Sequence, residues 1–147
     1  MRTLIGTSLV LALTACGGSA SGNNQPINIS NSPVTVERGA GDPPGGVAAT
    51  LTVQPNGSAT LTYETSPPQV NTVTLPSSLV SKFYSDLAAA IPLSSLPAAT
   101  GGNGFAGSLI ISVAGQTSPN ILGDSGIAGT LGVDVANIDS EFPLKSP

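Results

Sequence analysis

The clearest alternation of apolar and polar residues runs from residue 49 to residue 63 and predicts a β-hairpin. Its apolar positions are Ala49, Leu51, Val53, Ala59, Leu61 and Tyr63. A two-residue Asn56-Gly57 turn would set these side chains opposite polar ones, whereas a three-residue loop over residues 55–57 sets Val53 opposite Ala59. Proline suits the second position of a type I turn, and Gly57 can take the left-handed conformation that ends such a loop. We therefore predict the three-residue loop, which gives the hairpin one apolar face.

Two later segments show the four-residue spacing of apolar residues that predicts a helix. The first stripe consists of Leu79, Phe83, Leu87 and Ile91. Pro76 suits the start of this helix, a serine after it can cap the first turn, and Pro92 ends it. The second stripe consists of Leu131, Val135, Ile138 and Phe142. Gly129 and Gly132 weaken the second helix, because glycine costs about 1 kcal/mol relative to alanine inside a helix.

Three further strands complete the predicted elements. An alternating segment begins at Val34 and ends at Gly39, and the apolar run over residues 108–113 is typical of a buried strand. Ala114-Gly115 can turn this run into another strand over residues 116–122. Short turns favour antiparallel pairing. We therefore predict an α+β fold in the order β-β-β-α-β-β-α, with an antiparallel sheet of about four to five strands and two helices packed on one face.

The first sixteen residues carry a basic start, a short apolar run and the sequence Leu13-Thr14-Ala15-Cys16. The apolar run is shorter than the roughly 18 residues that a membrane span needs, and it fits the 7–15 residues of a signal peptide. The segment resembles the signal peptide and lipobox of bacterial lipoproteins. The layout of the rest of the chain is similar to that of small α+β lipoprotein domains of unknown function.

This resemblance implies that Cys16 receives a diacylglyceryl group, that the signal peptide 1–15 is removed, and that the new amino terminus is acylated, commonly with palmitate. Two or more acyl chains give stable membrane anchoring. Residues 16–32 are rich in Gly, Ser and Asn and are expected to form a flexible tether, followed by a single domain over residues 33–147. Gly17, where inner-membrane lipoproteins often have Asp, favours the outer membrane in a Gram-negative host.

Composition excludes several classes of function. Without the signal peptide, eight acidic and three basic residues remain, a net charge of −5, so the positive charge that dominates nucleic-acid binding is missing. The chain has no histidine, and its one cysteine belongs to the lipobox. A zinc site built on His or Cys, a disulfide within the domain and a catalytic triad with a His base are therefore excluded. We expect no cofactor.

Asp124-Ser125-Gly126 is the main candidate for chemistry. With Gly123 it resembles the serine stretch of trypsin-like proteases, but the chain has no histidine to activate the serine. It also resembles the Asp-Ser/Thr-Gly motif of aspartic proteases, in which two copies of Asp124 would share a proton across a dimer. That family has a hydrophobic residue before the Asp, where this chain has Gly123. The alternative interpretation is structural, with Asp124 in a turn or capping the last helix.

Two other candidates have simpler interpretations. Lys82 could form a Ser–Lys dyad only if burial removed its charge, and its position on the polar side of the first helix predicts an ordinary surface lysine. Asp42 lies among glycines but lacks the alternating acidic residues of a calcium loop. We therefore expect a non-enzymatic, lipid-anchored protein of the cell envelope that contacts the membrane through Cys16, with an envelope protein as its candidate partner. The alternative is a hydrolase that uses carboxylates alone, built on Asp124.

Overall fold

The computed structural model describes residues 27–39, 47–99, 108–121 and 126–143. They form an antiparallel sheet and two helices, which confirms the predicted α+β class. The strands are β1 (Val34–Arg38), β2 (Ala49–Val53), β3 (Ser58–Tyr63), β4 (Gln69–Thr74), β5 (Leu109–Val113) and β6 (Gln116–Thr117). The helices are α1 (Ser77–Ala89) and α2 (Gly126–Asp139), and a short 3-10 turn spans Leu93–Ser95. The order of strands across the sheet is β4-β3-β2-β1-β5-β6.

The hairpin of β2 and β3 has the predicted register. Val53 lies opposite Ala59 and Leu51 lies opposite Leu61. The amide of Gln54 donates to the carbonyl of Ser58, which closes the three-residue loop. Gly57 has a φ of +88°, the left-handed conformation that this loop needs and that side chains disfavour. The local sequence therefore determines both the turn and the pairing.

The sheet contains one strand that the apolar pattern did not predict. β4 follows β3 and carries two valines, Val70 and Val73, which lie on opposite faces because their positions differ by an odd number. A strand with one valine on each face shows no period-two alternation. β4 forms because it pairs along its whole length with β3, from Ser58 opposite Thr74 to Tyr63 opposite Gln69.

The last strand is shorter than predicted, because side-chain oxygens replace its backbone carbonyls as acceptors after Thr117, while the amides of Ser118 and Ile121 still donate to the carbonyls of Ile111 and Leu109. The hydroxyl of Ser118 accepts a hydrogen bond from the amide of Ile111, and the side-chain carbonyl of Asn120 accepts one from the amide of Leu109. Pro119 has no amide hydrogen to donate to a ladder. β6 therefore ends at Thr117 instead of continuing to residue 122.

One face of the sheet and both helices share a single hydrophobic core. Phe83 and Leu87 of α1 are fully buried, as predicted, in the same cluster as the inward residues of β2 and β3. From α2, the cluster includes Ala128, Leu131, Val135 and Ile138. Ile29, which precedes β1, is also buried in it. The opposite face of the sheet is mostly polar, with Val70 of β4 and Ile110 of β5 as apolar exceptions.

Candidate functional site

A cluster of charged side chains joins the two helices. The Nζ atom of Lys82 on α1 lies 2.7 Å from Oδ2 of Asp86 and 2.5 Å from Oδ1 of Asp134 on α2. Lys82 is half exposed, Asp86 is partly exposed, and the Asp134 side chain is fully buried. The second carboxylate oxygen of Asp134 has no hydrogen-bond partner. One cation is thus shared by two carboxylates, one of which lies in the core.

The electrostatics of this cluster follow from the different burial of its members. Burial raises the pKa of Asp134, and the neighbouring carboxylate of Asp86 raises it further, while Lys82 acts in the opposite direction. The hydrogen bonds to Asp134 and Asp86 raise the pKa of Lys82. The Lys82 hydrogen bond lowers the pKa of Asp86. Lys82 therefore keeps its charge, as expected, and is unsuited to act as a nucleophile or base.

The position of Asp134 in the sequence indicates a buried carboxylate. Asp134 occupies the position three after Leu131 and one before Val135, so it falls within the apolar stripe of α2. A carboxylate in such a stripe predicts a buried polar contact. Its partner could not be named from the sequence, because Lys82 lies 52 residues away and the contact depends on how the helices pack.

A second buried charge lies under the end of α2. Arg38 occupies an inward position of β1, between Ala49 and Leu109 on the neighbouring strands, and its side chain is buried. It forms an ion pair with Asp139, the last residue of α2. The Nε atom of Arg38 is buried without a hydrogen-bond partner. This pair links the sheet to the end of α2.

Two small cavities lie between the hairpin loop and the first turns of α1. Their volumes are about 130 and 150 Å³, and Pro55, Val80 and Ser81 line both. Drug-sized ligands occupy pockets of roughly 300–1,000 Å³. The hydroxyl of Tyr84, at the edge of one cavity, donates to the carbonyls of Ser32 and Val53, and burial raises its pKa to about 12. These cavities lie beside the loop, on a different side of α1 from Lys82.

The outer face of the sheet carries a row of hydroxyl side chains that crosses all the described strands. The residues are Thr72, Thr60, Thr52, Thr35, Ser112 and Thr117, each directly opposite the next. We call them the hydroxyl row. Thr60 and Thr72 share a hydrogen bond of 3.2 Å, and Ser112 and Thr117 share one of 3.1 Å. In the sequence these residues are polar positions of separate strands. Only the register between the strands shows that they lie opposite one another in a single row.

Most sequence candidates fall outside the described residues. These are Cys16, Asp42, Asp124 and Ser125. The interpretation of Asp124 as a turn or cap residue therefore stays a prediction, as does lipidation at Cys16. In the described part of the chain, no group of three or more His, Cys, Asp or Glu residues is arranged to hold a metal ion. Within the same residues, neither helix is long and apolar enough to span a membrane.

Comparison of the chain with protein-family models finds no match, and comparisons with curated proteins and with solved structures find none either. The assignment of a function therefore depends on the lipobox, the charged cluster between the helices and the surfaces of the sheet.

Proposed function

We propose that this chain is a non-catalytic lipoprotein of the bacterial cell envelope, anchored through acyl groups on Cys16, which binds another envelope protein through the outer face of its sheet. The observation that supports anchoring is the sequence Leu13-Thr14-Ala15-Cys16, which places the single cysteine of the chain directly after a signal-like segment. The observation that supports binding is the exposed hydroxyl row. The two parts of the proposal are tested separately.

The anchor is tested by replacing the lipid acceptor. Cys16→Ser removes the thiol and changes no other atom of the lipobox, so the variant is expected to lose lipidation and processing and to keep residues 1–15, which its higher mass reveals. Ala15→Gly keeps a small residue before the cysteine and serves as the matched control, expected to fractionate as the wild type does. A Cys16→Ser variant that is processed and retained normally would exclude the lipoprotein assignment.

The binding surface follows from the two unequal faces of the sheet. The helices bury one face, while the residues of the hydroxyl row on the other are partly or fully exposed. A hydroxyl group can donate one hydrogen bond and accept others, so an array of them can match the amides and carbonyls of a protein partner. Thr52 lies in the central part of this face, on β2, flanked by Thr35 and Thr60.

Site-specific photo-crosslinking in the living envelope tests this surface. A photoreactive residue at Thr52 is expected to give a discrete adduct with a second protein, while the same residue at Ser85, on the exposed side of α1, gives none. Thr52→Lys, combined with a photoreactive residue at Thr35, should reduce the adduct several-fold because a long charged side chain then covers the face. Equal adducts from Thr52 and Ser85, or no adduct at Thr52, would contradict binding through the outer face.

A further inference from the structure

β4 is an edge strand, and among the described residues no strand pairs with its outer side. In the pairing of β3 with β4, Ala59 lies opposite Val73 and Leu61 lies opposite Asn71. The amide of Leu75 donates to the carbonyl of Gly57, which fixes the alternation of hydrogen bonds along this ladder. Because bonded and non-bonded pairs alternate in an antiparallel sheet, the odd-numbered residues of β4 bond to β3. The amides and carbonyls of Val70, Thr72 and Thr74 therefore point away from the sheet.

This edge lacks the devices that usually prevent strands from pairing. Natural proteins protect free edges with charged residues, prolines, bulges or very short strands. β4 has six residues and contains neither a charge nor a proline, and its pairing with β3 is continuous. Val70 is 56 % exposed, one of the few large apolar side chains of the described residues left in solvent. The edge therefore has unpaired backbone groups that can form hydrogen bonds and apolar surface that a partner can bury.

We propose that β4 pairs antiparallel with β4 of a second copy of this chain, about a two-fold axis that passes beside Thr72. The outward backbone groups of β4 belong to even-numbered residues. An even-numbered residue of one copy must therefore lie opposite an even-numbered residue of the other. The register that sets Thr72 opposite Thr72 also sets Val70 opposite Thr74 of the second copy. In this register every outward amide and carbonyl of the three residues finds a partner, whereas a shift of two residues toward the amino terminus leaves Thr74 facing Pro68, which has no amide hydrogen.

A second copy fits this edge for reasons of symmetry and charge. A two-fold interface requires a self-complementary surface. The proposed register meets this requirement, because exchanging the two copies leaves every residue pair unchanged. No like charges meet along β4, because the strand has none. Val70 is covered by Thr74 of the second copy on the outer face. The hydroxyl row then continues from Thr72 of one copy into Thr72 of the other, across a sheet of twice the width.

Cysteine crosslinking of the full-length protein in its native envelope tests this register. In a bonded antiparallel pair the Cα atoms are about 5.5 Å apart and the Cβ atoms up to about 5.5 Å apart, wider than the roughly 3.5–4.5 Å between Cβ atoms that a disulfide needs. A short bifunctional thiol reagent is therefore used, and Thr72→Cys is expected to give a covalent dimer with it. Val70→Cys is the matched control on the same edge: Val70 of the two copies would lie four residues out of step, about 13 Å apart, and should give at least five-fold less dimer.

The parent chain, with Cys16 alone, provides the background in this experiment. Dimers of the parent chain would report a free Cys16 and would count against lipidation, not against strand pairing. Equal crosslinking of the Thr72→Cys and Val70→Cys chains would mean random collision, and no crosslinking of Thr72→Cys would mean no pairing. Either result overturns the proposal.

A proline variant gives an independent test, because it removes the two bonds between the Thr72 residues of the proposed interface and no backbone bond of the monomer. The amide of Thr72 points outward, so Thr72→Pro leaves the β3 ladder intact and should halve the mass of the purified full-length protein in detergent. Thr72→Ala keeps the amide and should remain dimeric. Circular dichroism checks that both variants are folded. A folded Thr72→Pro variant that stays dimeric would exclude this interface.

Discussion

The ammonium nitrogen of Lys82 lies 2.5 Å from Oδ1 of Asp134, so a half-exposed lysine of α1 holds a fully buried carboxylate of α2. The same lysine also contacts Asp86, four residues along its own helix. Asp134 would otherwise be an isolated charge in the core, which is costly. The contact therefore ties the two helices together and fixes which face of α2 meets α1, even though the pair is not expected to add much stability by itself.

This arrangement predicts an unusual dependence of stability on pH. The pKa of Asp134 is raised above its ordinary value of 3.8, chiefly by burial, so the folded protein holds this proton more tightly than the unfolded chain does. The contribution of Asp134 to the free energy of unfolding is complete below pH 3.8 and is lost as the pH rises through the pKa of Asp134 in the folded protein. The free energy of unfolding should therefore gain a component that increases as the pH falls from neutral toward about 3.8.

Asp134→Asn tests this dependence, because it removes the titrating group and keeps the size of the side chain. The difference between wild-type and variant stability should change steadily over the window above pH 3.8 and then level off below it, as measured by urea denaturation at a series of pH values. Asp86, whose pKa is lowered, has the opposite sign and acts only below its ordinary value of 3.8. Glu64→Gln, at an exposed position outside the cluster, is the control. A constant difference between wild type and Asp134→Asn would show that Asp134 does not titrate as described.

Leu87 tests the packing of α1 on the sheet. Its side chain is fully buried in the common core, so Leu87→Ala leaves a cavity that the neighbouring strands cannot fill completely. We expect a loss of about 2–5 kcal/mol in the free energy of unfolding, measured by urea denaturation. Ala88→Gly, at an exposed position of the same helix, should cost no more than about 1 kcal/mol. Equal effects of the two substitutions would contradict the buried face assigned to α1.

Two glycines in hairpin turns offer a matched comparison of backbone strain. Gly57 and Gly115 both have positive φ, +88° and +77°, so an alanine at either position costs about 1–2 kcal/mol of left-handed strain. An added Cβ at Gly57 would also lie 3.3 Å from the carbonyl oxygen of Leu75, whereas nothing lies within 4 Å at Gly115. Gly57→Ala should therefore lower the melting temperature more than Gly115→Ala does. A larger decrease in melting temperature for Gly115→Ala than for Gly57→Ala would mean that the 55–57 loop shifts to accommodate the added methyl group.

The sequence predicted those parts of the fold whose signals are local. The 55–57 loop was correct because turn chemistry and apolar register agree at Gly57. The position of α1 was correct because its stripe repeats every four residues between prolines, but the predicted serine cap was wrong: Pro76 is the N-cap residue, and no side chain caps the helix. β4 was not predicted, since Val70 and Val73 lie on opposite faces and pairing with β3, not an apolar pattern, makes it a strand. The contact of Lys82 with Asp134 and the hydroxyl row depend on long-range packing and register, which no single segment encodes.

The proposal of an envelope lipoprotein is tested most directly by the chemical state of the mature amino terminus. Mass spectrometry of the protein purified from membranes of its native host should find an amino-terminal peptide that begins at Cys16 and carries a diacylglyceryl group on the thiol. Its mass should show that residues 1–15 are absent. A mature protein that begins at Met1 or at another residue, or that contains Cys16 with a free thiol, would contradict the account.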